Sequence, residues 1–296
     1  MIDNILQMYC PKLPPDDLPG TALKMHWTGT AGFVIEYKGT TLVIDPFVTR
    51  CGMFRLLFLR MPVNEALCEE VFPKADYIAI GHSHYDHVAD LPVVARNTGA
   101  PVYGSKSTAA ALRGGGIDEA QIKEVEPWTP YELGPMKVTF VPSVHGLILF
   151  GKVPYDGVIE GAPKPPLRAS HYKAGATYGI LIEADGFRFA HFGSANMIDE
   201  ELEKMGKVDM LLLGISGRQK TENYLERMTR HTRPNYIFAH HYDNFFKPLR
   251  GGRNVFRGVH LPQFIEEYEN TCPNVRLLMP DFFQPVVFDT QTKRLL

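Results

Sequence analysis

Residues 78–92 read IAIGHSHYDHVADLP, and the six positions from 82 to 87 hold three histidines and an aspartate. The apolar run 77–80 leads in as a short buried strand. Residues 88–97 lead out with apolar side chains at helical spacing, and Gly99 is a natural stop. On an extended backbone residues two apart point the same way, so His82 and His84 face one point together. Asp86 and His87 then fall at the first turn of the following helix, rotated toward a neighbouring point. A carboxylate there also suits the positive end of the helix dipole. Neutral imidazole nitrogens and ionised carboxylates are the lone pairs that zinc takes at about 2.0–2.2 Å. A hydrogen-bonded turn without metal explains one such histidine; the run His-x-His-x-Asp-His after an apolar strand points to a metal site.

Further ligands are expected where other strands end, the place at which ligands collect in α/β sheets. His145 follows the strand TFVPS, and His241 follows YIFAH. The expected sets are His82, His84 and His145 for one ion, and Asp86, His87 and His241 for a second. Strands are read at 22–27, 32–37, 41–45, 101–104, 137–142, 177–183, 187–192, 210–214 and 236–240, with two more closing the chain. Helices are read at 64–72, 106–112, 199–205, 222–230 and 261–270. Strands followed by strand–helix units, twice over, predict two sheets with helices on their outer faces. No linker divides the chain, so residues 1–296 read as one domain. It has a proline-rich surface arm over 1–22 and a long glycine- and proline-rich functional loop over 146–175.

Of the 296 residues, 45% are hydrophobic and 22% charged, with a formal net charge of −2. That balance speaks against an extended nucleic-acid face. The four cysteines, Cys10, Cys51, Cys68 and Cys272, form no CxxC pair and suggest a reducing compartment. The N-terminus shows no basic, apolar leader pattern, so a cytoplasmic location is expected. The most apolar stretch, residues 53–63 (MFRLLFLRMPV), is too short to span a bilayer. It reads as a buried helix or as an apolar lid touching a greasy substrate or a membrane surface. Of the remaining histidines, His26 and His191 read as core or half-buried, His240 as pointing away from His241, and His231 and His260 as surface residues.

With HSHYDH, the strand end IDP, PSVHG and HHYDNF appearing in that order, the sequence resembles the metallo-β-lactamase superfamily. Its closest likeness is to the branch containing ascorbate-6-phosphate lactonase and N-acylphosphatidylethanolamine phospholipase D. The resemblance implies an α/β fold, a four-layer αβ/βα sandwich of two mixed sheets with a dinuclear metal site at one edge. It gives Asp45 a supporting role in which its carboxylate accepts the free N–H of a ligand histidine; a strand-end cap before Pro46 would look the same. The family's metal-bridging aspartate is missing, because HFGSAN places Ser194 after Gly193. Ser194 therefore reads as a supporting residue, and a second ion as more weakly held.

Two divalent ions are expected, zinc first, with manganese or iron open and a single ion if Ser194 weakens the second set. Such a site activates water for hydrolysis of an ester, lactone, amide or phosphodiester, with Asp86 as the catalytic carboxylate that orients the water. Lys164, Arg168, His171 and Lys173 in the long loop, and Lys247, Arg250, Arg253 and Arg257 after His241, suggest a small anionic substrate. Arg168, His171, Lys173 and Tyr242 are the candidate substrate contacts. Leu147, Ile148, Leu149, Phe150 and Tyr172, together with residues 53–63, would line an apolar channel. A phosphodiester or phosphate-bearing amphiphile fits both features. A small lactone or ester, iron-based redox chemistry and a decayed binding module are the alternatives.

Overall fold

The computed structural model describes residues 2–148 and 151–296; Leu149 and Phe150 of the expected channel lie outside the described residues. Strands β1 (Ala22–Gly29), β2 (Gly32–Tyr37), β3 (Thr40–Ile44), β4 (Tyr77–Ala79), β5 (Val102–Gly104) and β6 (Ile122–Glu124) build one sheet. The chain then crosses to a second sheet of β7 (Pro130–Leu133), β8 (Met136–Ser143), β9 (Thr177–Ala184), β10 (Phe187–Phe192), β11 (Met210–Gly214), β12 (Tyr236–His240) and β13 (Arg276–Leu278). It returns with β14 (Val286–Asp289) and β15 (Arg294–Leu295). The sheet orders are β15-β14-β1-β2-β3-β4-β5-β6 and β13-β12-β11-β10-β9-β8-β7. Both sheets are mixed: β3 to β6 and β10 to β13 run parallel, and the other pairs antiparallel.

The inner faces meet in one apolar core. Met25, Trp27, Phe33 and Ile35 alternate inward from the first sheet, against Val138, Phe140, Phe189 and Phe238 of the second. Phe33 and Phe238 meet edge to face at 5.1 Å across that gap. Helices α1 (Ile2–Met8), α2 (Met53–Phe58), α3 (Glu65–Val71), α4 (Tyr85–Val88), α5 (Leu91–Thr98) and α6 (Lys106–Gly114) belong to the first half. Helices α7 (Asp199–Met205), α8 (Tyr224–Thr232) and α9 (Leu261–Thr271) belong to the second. Cys68, Val94 and Leu112 of α3, α5 and α6 cover Val43, Ile78 and Val102 on the outer face of the first sheet. Leu202, Leu225 and Phe264 cover the second sheet. Four layers result.

Several local expectations change. The arm opens with α1, because Ile5, Leu6 and Tyr9 share a face; Leu6 is buried and Tyr9 donates to Glu269 Oε1 on α9 at 3.2 Å. The expected helix over 88–97 begins only at Leu91, as α5, after the short helix α4 that ends at Val88. Pro92 sits in the first turn of α5, where its missing N–H costs nothing, and not in a helix interior. Strands β6 and β7 escaped notice because they are edge strands with one buried residue each. The chain closes with three strands, not two. Finally α2 is not a buried helix, since Leu56 is its one buried residue.

Candidate metal centre

Strand β4 lies parallel to β3, with Ile44 opposite Ala79. Asp45, one residue beyond β3, therefore reaches the chain just before the histidines. It takes a left-handed φ of 44°, and its Oδ1 accepts the Gly81 N–H at 2.8 Å while its Oδ2 accepts His87 Nδ1–H at 2.7 Å. A carboxylate on Nδ1 leaves the lone pair of His87 on Nε2, turned away toward the site. Burial alone would push the His87 imidazole down, but Asp45 and Asp86 outweigh it and hold its pKa above the usual value.

The first expected set comes together. His82 Nε2 lies 3.2 Å from His84 Nδ1, which lies 3.1 Å from His145 Nε2. His145 donates Nδ1–H to Gly146 O at 2.7 Å, so its Nε2 presents a lone pair to the other two rings. Burial pushes all three imidazoles down, His145 to about 3 with help from neighbouring His84, so they are neutral at physiological pH. Neutral nitrogens crowded this closely repel one another unless a cation lies between them. Tetrahedral bonds of 2.0–2.1 Å would set them about 3.3–3.4 Å apart, close to the spacing seen.

The second set also converges, with the ligand atoms of Asp86, His87 and His241 within 4.8 Å of one another. His241 Nε2 is 3.2 Å from Asp86 Oδ2 and His87 Nε2 is 4.0 Å from it. Burial would raise the Asp86 carboxyl, but His87 and His241 outweigh it and hold the pKa below the usual carboxylate range. The sets are neighbours: the His82 and His87 rings are 3.8 Å apart. Imidazole nitrogens in both sets, joined in the second by the Asp86 carboxylate, suit a borderline divalent cation.

The supporting residues explain the placement. Ser194 Oγ accepts the Gly146 N–H at 2.9 Å and so braces the loop that carries His145. His241 N–H donates to Thr30 O at 2.9 Å, and Thr30 N–H is held by Asp243 Oδ1 at 3.0 Å. Asp243 is buried with Arg50 as its partner. His240 points away from His241 as expected and stacks on His191 at 4.9 Å, the two donating to Thr30 O and Ala31 O. His26 is half-buried against Phe283 O and His260 is exposed, whereas His231 is partly buried against Asp199.

Asp243 was present in the HYDNF motif, but a buried brace and a solvent-exposed aspartate look alike in sequence. The aromatic wall beside His241 was also missed. Phe245 lies 5.4 Å from that ring, with Tyr85 and then Phe47 behind it.

The expected substrate contacts scatter. Lys173 is half-buried beside Ala174, whose carbonyl accepts the Ser83 N–H at 2.9 Å, so the backbone keeps it next to the histidine motif. Arg168 and His171 are exposed in a segment that packs on α2. Tyr242 is fully buried, its ring 4.8 Å from Trp27 in the core, and offers no surface to a substrate. Tyr172 is buried too, among the helices of the first sheet. Arg250 and Arg253 are paired with Glu70 and Asp281.

A family model for a β-lactamase superfamily domain matches residues 40–241. A metal-dependent hydrolase of Cupriavidus taiwanensis is 30% identical over 215 residues, covering 70% of this chain and 68% of that protein. A protein of Pyrococcus furiosus is 26% identical over 196 residues, 66% of this chain and 71% of its own. Among solved structures, a metallo hydrolase from the hyperthermophilic archaeon Ignicoccus hospitalis matches with a TM-score of 0.62 at 20% identity, over 90% of this chain and 98% of that one. CmlA, a diiron β-hydroxylase from Streptomyces venezuelae, matches at 0.58 with 13% identity, over 93% and 55%. These structures share the fold. The family match takes in Asp45, the cluster from His82 to His87, His145 and His241: the chain belongs to the β-lactamase superfamily, among its metal-dependent hydrolases.

Proposed function

We propose that the chain hydrolyses a phosphodiester within an amphiphilic substrate, using two divalent ions, zinc first among them. The observation that carries this reading is the pair of converging ligand sets, with nitrogens 3.1–3.2 Å apart in one and an ionised Asp86 in the other. When bound, such ions supply Lewis acidity and lower the pKa of a water toward neutrality. This chain's own residues do the rest. Asp86 accepts a hydrogen bond from the attacking water and orients it. Lys173 is the cation that the backbone holds beside the motif, and it meets the substrate's negative charge. Phe245 and Tyr85, backed by the buried Phe47, exclude bulk water, and the two half-buried rings take the apolar part of the substrate. Ser194 braces His145 and does not replace the missing bridging carboxylate.

A lactone or ester substrate is the second reading. Arg250 and Arg253 already have carboxylate partners, which leaves less positive charge for a phosphate. The same donors accept manganese or iron, so the metal is identified by elemental analysis of protein isolated without chelator or added metal. The test is hydrolysis of bis(4-nitrophenyl) phosphate against a lactone and a β-lactam. Diester turnover is expected, falling about 10³-fold in His84→Ala, equivalent to ~4 kcal/mol of transition-state stabilisation. Turnover of lactones alone would overturn the phosphodiester reading. Absence of metal after reconstitution would overturn both readings.

A further inference from the structure

We propose that the face formed by α2 and the segment 161–173 docks on an anionic lipid surface. Residues 53–60 read MFRLLFLR, and Leu56 alone among them is buried. Phe54 is 71% exposed, Phe58 57% and Leu57 53%, with Met53 and Leu59 beside them. Phe54 and Phe58 lie one helical turn apart and touch each other at 5.2 Å without entering the core. A contiguous apolar surface of this kind is rare on a monomer that has no partner for it.

The two stretches that form the face carry charge of one sign. No acidic residue lies between Asp45 and Glu65, nor between Glu160 and Glu183. Arg55 and Arg60 are exposed in the first stretch, Lys164 and Arg168 in the second. The stretches are joined: Arg60 donates to Pro166 O at 3.1 Å, Met61 N–H donates to Leu167 O at 2.7 Å, and Arg60 faces Arg168 in an antiparallel bridge. Two guanidinium-bearing residues are thus held side by side, while the strong ion pairs among the described residues use other cations.

The occupant follows from that combination. A second copy meeting this face by two-fold symmetry would set arginine against arginine. A neutral apolar partner would leave the cations unanswered. A bilayer carrying anionic headgroups answers both demands, taking Phe54, Leu57 and Phe58 at the acyl boundary and the arginines among the phosphates. The segment that carries Arg168 ends next to Ala174, which bonds Ser83 between two metal-ligand histidines. Docking would therefore bring a lipid surface within one short segment of the metal centre.

The test is co-sedimentation of the full chain with phosphatidylcholine vesicles, with and without phosphatidylserine. The wild type is expected to sediment with the anionic vesicles and to be released by salt. Phe54→Ser/Phe58→Ser should weaken binding about tenfold or more, and Arg55→Gln/Arg168→Gln several-fold, since each removes one of the two attractions. Near-ultraviolet circular dichroism and metal content establish that each variant is folded. Equal binding to neutral vesicles, or binding unaffected by the phenylalanine changes, would overturn the proposal. So would absence of vesicle binding by a chain that is dimeric in ultracentrifugation and monomeric after Phe54→Ser/Phe58→Ser, which would assign the face to a second copy.

Discussion

Gly193 has no room for a methyl group. A Cβ built there lies 2.9 Å from His87 Cε1, 3.1 Å from Asp45 Oδ2 and 3.3 Å from Ala31 Cβ. The first two are the partners of the hydrogen bond that aims His87, and neither is a flexible chain end that can swing aside. Gly193→Ala should therefore tilt the His87 ring and weaken the Asp86–His87–His241 set while His82, His84 and His145 stay in place. Elemental analysis is expected to show loss of one ion with the other retained, at a stability cost of about 1–3 kcal/mol for overpacking. Full occupancy by both ions in a folded Gly193→Ala protein would show that the contact is not tight. At this scale the convergence of the six candidate ligands was legible, because lone-pair donors at strand ends leave few other readings. Tyr242 was not. His241 takes a left-handed φ of 57°, which breaks the alternation a strand would continue, and the next side chain turns down onto Trp27. Arg250 and Arg253 were visible as charges, but their acidic partners lie 180 and 28 positions away in the chain.

Elements with strong periodicity were legible within a residue or two, as in α6, β9, β10 and α9. Those that failed are the ones whose identity depends on neighbours: β6 and β7 exist because an adjacent strand offers a ladder, and α2 is apolar without being buried. The packing of α7 on α8 is a further case, and it can be tested. Asp199 opens α7 and accepts from Arg227 Nε at 3.1 Å and from His231 Nε2 at 3.0 Å, both on α8. Arg227 above all lowers the Asp199 carboxyl from 3.8 to about 2. A depressed carboxylate pKa means the unfolded chain binds the proton first as pH falls. The stabilisation is fully present above about pH 4 and disappears as pH drops through about 2. With the side chain 32% exposed, screening holds its worth to about 1 kcal/mol. Urea titrations should thus find Asp199→Asn less stable than wild type by that amount at pH 7, with the gap closing toward pH 2. A gap that stayed constant over this range would assign the loss to packing and not to charge.

Across the whole molecule, the candidate centre sits where the two sheets are tied together. His82, His84, Asp86 and His87 follow β4 in the first sheet, while His145 and His241 follow β8 and β12 in the second. Ions held by both sheets bind the folded chain and not the separated halves, so metal binding is linked to folding. A ligand in thousandfold excess over its dissociation constant adds about 4 kcal/mol to stability. At roughly 2–4 °C per kcal/mol for a large domain, chelation should lower the melting temperature by ~10 °C, and zinc should restore it. The apo protein should keep its secondary structure at room temperature, because the apolar core between the sheets does not depend on the ions. His84→Ala/His241→Ala, which removes one donor from each set, should melt at the same temperature with or without chelator, near that of the stripped wild type. A wild type whose melting point ignored both chelator and zinc would mean that the crowded imidazoles are held by packing alone, and that the ions add nothing to the joint between the sheets.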